Sequence, residues 1–131
     1  MLIKTNCTMI YLTTEEKVAL IAAGKWMVKA DGIITGSEKR VHMDEIERFI
    51  PEDEYKLALT AATVMPYDRM LSIFAEMSVT DCMYVLGFLA HLAAIDGDIS
   101  REEVRLWQAI CRACNMRTDC ASDYVEYWKT H

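Results

Sequence analysis

The sequence predicts an all-α fold, a compact bundle of about six to seven helices with an internal pseudo-two-fold duplication. Three observations carry this expectation. Apolar residues recur at helical spacing along most of the chain. Helix-start signals precede most of these stretches. One acidic, glycine-containing string occurs twice, beginning at Asp31 and again at Asp96. The 131 residues match one domain over 1–131, long enough to withdraw roughly two thirds of the unfolded surface from water. Hydrophobic residues make up 53% and charged residues 26%, with five Gly and two Pro, so the chain is neither disordered nor low in complexity.

The first twelve residues, with Lys4, Thr5, Asn6 and Thr8 among apolar ones, are ambiguous and fit an extended N-terminal arm. Thr13 stands three residues before Glu16, the spacing of a capping box, and the following stretch runs unbroken by Pro to Ala30. A helix over 14–30 follows. Val18, Ile21 and Ala22 fall on one side of it, and Ala22, Ala23 and Gly24 would let another backbone approach closely. A second helix is expected after Thr35, with His42, Ile46, Phe49 and Ile50 at helical spacing. Pro51 suits the first turn of a third, because its missing N–H would be unpaired there, and Glu52, Asp53 and Glu54 favour that start through the dipole. A fourth begins after Pro66 and carries Met70, Leu71, Phe74 and Met77 inward. Thr80-Asp81 opens a fifth whose Met83, Val85, Leu86, Phe88, Leu89 and Leu92 leave almost no polar face, which makes it the expected hub. A sixth follows Ser100 with Val104, Trp107, Ile110, Cys111 and Cys114 on one stripe. A last, aromatic-rich helix over 119–129 either caps the core or offers Tyr124, Tyr127 and Trp128 to another chain.

The duplicated string is the most specific signal. DGIITGSE at Asp31 to Glu38 recurs as DGDISREE at Asp96 to Glu103, each copy between an apolar and an amphipathic helix. Gly32 and Gly97 suit the left-handed conformation that ends a helix. Ile34 and Ile99 would pack back on the preceding helix, and Thr35 and Ser100 would cap the next one with Glu38 and Glu103 as partners. Such boxes contribute about 1 kcal/mol each. The string also matches the second half of an EF-hand loop. Its first half fails the comparison, because Met27, Lys29, Leu92 and Ala94 stand where oxygen ligands belong. A different arrangement brings Asp31, Glu38, Asp96, Asp98 and Glu103 to one face, where the carboxylates would hold a hard divalent cation. Capping already accounts for both glutamates, and no other cofactor is implied.

Other candidate chemistry has bland explanations. Cys111 and Cys114 form a C-x-x-C with Cys120 nearby, but they lie on the apolar stripe and no second pair exists, so they read as buried free thiols rather than zinc or redox ligands. His42 and His91 fall at inward positions, as core histidines bonded to backbone do. The nine Met residues include Met70, Met77 and Met83 at core spacing. No hydrolase, phosphate-loop, zincin or dinucleotide motif is present, so no standard enzyme class has support. A net charge of −6 with scattered Lys and Arg disfavours nucleic acid and anionic membrane surfaces. The longest mostly apolar run, 83–95, contains His91 and is shorter than the about 20 residues a spanning helix needs. The broken N-terminus and the odd cysteine count of five point to the cytoplasm.

The paired motifs, Ala30-Asp31-Gly32 with Glu38 and Ile95-Asp96-Gly97-Asp98 with Glu103, resemble the TerB-like family of bacterial tellurite-resistance and stress domains, also found ahead of a J-domain in a membrane-anchored co-chaperone. The resemblance covers roughly 15–115 and leaves 51–78 and both ends without a match. It implies a helical, metal-binding or metal-free, non-catalytic module that works through partners, and it does not imply tellurite resistance. The expected function is therefore a protein-interaction module in a stress-related assembly, with a second copy of the chain among the candidate partners. A divalent-cation sensor or carrier using the five carboxylates is the alternative. A metal-assisted hydrolase in a cleft between the repeats ranks last, since no motif supports it.

Overall fold

The computed structural model describes residues 12–30, 50, 52–94 and 99–130, and every described regular element is an α-helix. In chain order these are α1 (Thr14–Ala30), α2 (Glu52–Thr63), α3 (Tyr67–Ala75), α4 (Val79–Ala93), α5 (Arg101–Ala113) and α6 (Ala121–Thr130). The expected helix after Thr35, with His42, Ile46 and Phe49, lies outside the described residues, as do Pro51 and all of the expected N-terminal arm but Leu12, which is buried. Ile50 is described and buried.

The start of α1 follows directly from sequence. The Glu16 amide donates to Thr13 Oγ1 at 3.1 Å, and the Thr13 amide donates to Glu16 Oε1 at 2.8 Å, a complete capping box. Burial along α1 exceeds the single stripe expected, because Ala19 and Leu20 are enclosed along with Val18, Ile21, Ala22 and Ala23. Neighbours explain this: α2, α3, α4 and α5 all pack on α1. The two helices that precede the Asp-Gly strings, α1 and α4, are thus both central, where only the second was expected to be.

Helix α2 lays Tyr55, Ala58 and Ala62 against the core at positions i, i+3 and i+7. Two polar links tie it to α1: Lys17 Nζ to Glu54 Oε1 at 3.1 Å, and Lys25 Nζ to Thr63 Oγ1 at 2.9 Å. Pro66 is the N-cap residue of α3, with extended backbone and no side-chain cap. Met70 and Phe74 are fully enclosed and Met77 is buried, as their spacing predicts, while Leu71 is half-buried. An Arg69–Glu15 ion pair joins α3 to the first turn of α1.

Helix α4 begins one position earlier than Thr80-Asp81 suggests. Its cap is Ser78, whose Oγ accepts the Asp81 amide at 3.2 Å. Burial then covers Cys82 and every residue from Tyr84 to Leu89, with Leu92 and Ala93 after them. Helix α6 lies along α4 and answers the question left by its aromatic composition. Tyr124 and Trp128 are buried, with the Trp128 ring 6.1 Å from Phe88 and 4.7 Å from His91, so they close the core instead of facing outward. Gly87 permits this crossing: a Cβ there would stand 2.1 Å from the Tyr124 carbonyl oxygen and 2.6 Å from Trp128 Cβ.

Helix α5 is the most clearly amphipathic element, burying Glu103, Leu106, Trp107, Ile110 and Cys111. It ends in a Schellman motif. The Met116 amide donates to the Cys111 carbonyl at 2.8 Å and the Asn115 amide to the Arg112 carbonyl at 3.1 Å. Asn115 takes the left-handed position with φ of 59°, a conformation asparagine tolerates better than most residues. No helix among the described residues is long and apolar enough to cross a membrane.

Candidate functional site

Four of the five acidic residues singled out by the duplicated string, Asp31, Glu38, Asp96 and Asp98, lie outside the described residues. Glu103 lies within them. It is 3% exposed, and its Oε1 accepts the Ser100 amide at 2.8 Å while its own amide donates to Ser100 Oγ at 3.1 Å. The second string therefore builds the capping box its spacing predicts. Among the described residues no group of three or more His, Cys, Asp or Glu is placed to hold a metal ion.

Beside this box lies an apolar groove of about 330 Å³. One wall is the end of α4, where Ala90, Ala93 and Ala94 are too short to fill the space above them. The opposite wall comes from α5 through Glu103, Val104, Trp107 and Gln108, and the far end from Thr118, Ala121, Ser122 and Val125. Trp107 is fixed in place because its indole N–H donates to the Leu86 carbonyl at 3.0 Å. Ile99 lines the groove but is 50% exposed. Ile99 thus lies beside the end of the preceding helix, as its position suggests, but the short alanines there leave half of it exposed. Val104 is a correction: it is 40% exposed, while Leu106, absent from the expected stripe, is buried. Two branched apolar side chains flanking a concave surface differ from the singly exposed Leu57 and Val64 on α2 and its end, which need no explanation.

The cysteines form a second constellation. Cys111 is fully enclosed, as expected, but Cys114 and Cys120 are half-buried, since both sit where helix gives way to the α5–α6 connection. Sequence spacing missed Cys82, a buried thiol in the first turn of α4. Its sulfur is 3.7 Å from the Phe74 carbonyl oxygen and 3.8 Å from that of Met77. Interaction with Cys114 shifts the Cys82 thiol below its ordinary range, and the same interaction together with burial shifts Cys114 far above it. Burial pushes the Cys111 thiol up to about 12. Burial likewise raises the Tyr124 phenol, whose hydroxyl donates to the Arg117 carbonyl at 2.8 Å. His91 stacks on Trp128 and is half-buried, and His42 lies outside the described residues.

No family model matches the chain, and no curated protein matches it. Its fold is similar to the crystal structure of a protein of unknown function from Porphyromonas gingivalis, with a TM-score of 0.74 and 31% sequence identity over 91% of this chain and 97% of that one. The chain belongs to the same family as that protein.

Proposed function

We propose that this protein is a non-catalytic interaction module of TerB-like type, acting in the cytoplasm within a stress-related assembly and gripping a protein partner in the α4–α5–α6 groove. The groove is the observation that carries this reading. It is concave, lined mainly by apolar groups and flanked by Ile99 and Val104, whose exposure is otherwise unrewarded. Contacts of this form anchor a partner through one or two apolar side chains that fill a pocket. The TerB-like resemblance of the two Asp-Gly strings supports the same reading, since it implies work through partners. The Porphyromonas gingivalis relative is of unknown function and adds no activity.

The test is quantitative capture from an extract of the native cell with the wild-type chain and with Ile99→Asp/Val104→Asp. A protein retained by the wild type and lost by the folded double variant supports the proposal. Equal retention of every protein by both refutes it.

A further inference from the structure

Along the α5 lip of the groove runs a row of positive charge on a chain whose net charge is −6. Arg101, Arg105, Gln108 and Arg112 stand at i, i+4, i+7 and i+11 of α5, so they share one stripe about 16 Å long. All three arginines are exposed, and Gln108 in the same row lines the groove beside Val104. Among the described residues, carboxylates pair with Lys17, Arg69 and Arg117 but with none of these three. Glu102 falls about 100° round the helix from Arg101, on the side away from Val104. Glu103 lines the groove but is buried, with its Oε1 engaged by the Ser100 amide. The α6 lip carries one charge of each sign, Glu126 and Lys129, both exposed.

Helix stability does not account for the row. Arg101 is the first residue of α5, where the dipole favours acids and opposes a cation. Arg105 follows Glu102 by three residues, a spacing that permits an ion pair, yet none forms. Only Arg112, in the last turn, stands where the dipole favours it.

We propose, on the footing that the groove docks a protein, that its occupant is an acidic, amphipathic peptide segment of the partner. Apolar side chains of that segment fill the space above the α4 alanines, between Ile99 and Val104. Its Asp and Glu side chains, on the flank turned toward α5, pair with Arg101, Arg105 and Arg112. A guanidinium suits this task, since its fork gives a carboxylate two parallel N–H···O bonds. Charge and shape select the occupant together. A basic segment would meet three cations at the lip, and a polyanion such as nucleic acid would meet the field of a chain with net charge −6 and find no basic face beyond this stripe. A short segment with a few carboxylates feels the arginines beside it more than the distant acids, which salt screens.

The experiment selects peptides from a phage-displayed random library against the full wild-type chain. Enriched peptides are then titrated, by fluorescence anisotropy at low and high salt, against wild type, Ile99→Asp/Val104→Asp and Arg101→Gln/Arg105→Gln/Arg112→Gln. Glutamine keeps the helix propensity of arginine and removes only the charge. The expected peptides combine apolar residues with an excess of Asp and Glu, and fail to bind Ile99→Asp/Val104→Asp. Their affinity for the arginine variant should fall about tenfold, with a shallower salt dependence than for wild type. Peptides that require Ile99 and Val104 but show no acidic excess and bind the arginine variant equally would overturn the acidic occupant and leave the groove as a docking site. Peptides indifferent to Ile99→Asp/Val104→Asp, or no enrichment at all, would overturn both. A wild-type chain that sediments as an oligomer, while Ile99→Asp/Val104→Asp sediments as a monomer, would make the occupant a second copy and overturn the acidic partner. The composition of the wild-type selection and its salt dependence decide the matter even where a variant folds poorly.

Discussion

Replacing Gly87 by alanine tests the packing of α6 on α4 at its tightest point. The new methyl would stand 2.1 Å from the Tyr124 carbonyl oxygen and 2.6 Å from Trp128 Cβ. Neither atom is the end of a flexible side chain. Relief therefore requires α6 to move off α4 as a body, loosening Tyr124 and Trp128 together. Overpacking of this kind costs typically 1–3 kcal/mol, and a backbone obstacle places it near the top, about 3 kcal/mol. Alanine returns roughly 1 kcal/mol through its better helix propensity. The net expectation is a loss of about 2 kcal/mol, which for a domain of this size lowers Tm by roughly 8 °C. Urea unfolding followed by tryptophan fluorescence reads both the midpoint and the environment of Trp128. Trimming the neighbour offers no rescue, since Trp128→Phe keeps the obstructing Cβ; Gly87→Ala/Trp128→Phe should be no more stable than Gly87→Ala alone. A Gly87→Ala protein as stable as wild type, or more so, would refute the close crossing.

Further outcomes follow from single contacts. Ser100→Ala should cost about 1 kcal/mol by opening the α5 capping box, whereas Ser100→Gly should cost only a few tenths, both read from urea midpoints. Tyr124→Phe removes the hydroxyl that donates to the Arg117 carbonyl and should cost about 1 kcal/mol, with the α5–α6 connection exchanging its amide hydrogens faster than in wild type. Cys111 gives a pH dependence whose sign is fixed. Its folded pKa lies above the ordinary value of 9.0, at about 12, so its contribution is complete below 9 and is lost as pH rises between those values. Cys111→Ala should therefore flatten the alkaline fall in stability across that window, and an unchanged slope would contradict the assigned burial.

The sequence was most informative where structure is local. Thr13 with Glu16, and Ser100 with Glu103, form their boxes within one turn, so the starts of α1 and α5 can be read from four residues each. The start of α4 was displaced by one residue because Ser78, Thr80 and Asp81 all resemble caps, and only the backbone path selects Ser78. Gly87 carried no local signal, since its necessity comes from a backbone 37 residues further on. The groove is non-local for the same reason: Val104 has core spacing with Trp107 and Cys111, yet the facing α4 alanines leave it uncovered. Cys82 escaped notice because it stands outside the C-x-x-C, and its contacts with the Phe74 and Met77 carbonyls come from the preceding helix and turn. Of the five carboxylates, only Glu103 falls within the described residues, where it acts as a helix cap. The cation-binding alternative is addressed separately by a melt series on chelated protein with calcium, magnesium, manganese and zinc, where a bound ion at 100 times its Kd adds about 2.7 kcal/mol.

The central claim is that the groove beside the second Asp-Gly string receives a protein. A photo-reactive benzophenone amino acid placed at Val104, on the rim of the groove, addresses it in the living cell, with the same group at the outward-facing Leu57 of α2 as the control. The account predicts a discrete cross-linked protein from position 104 that is absent from position 57 and is lost when Ile99→Asp is added. Identical products from both positions, or none from position 104 under conditions where the protein is folded and expressed, would contradict it.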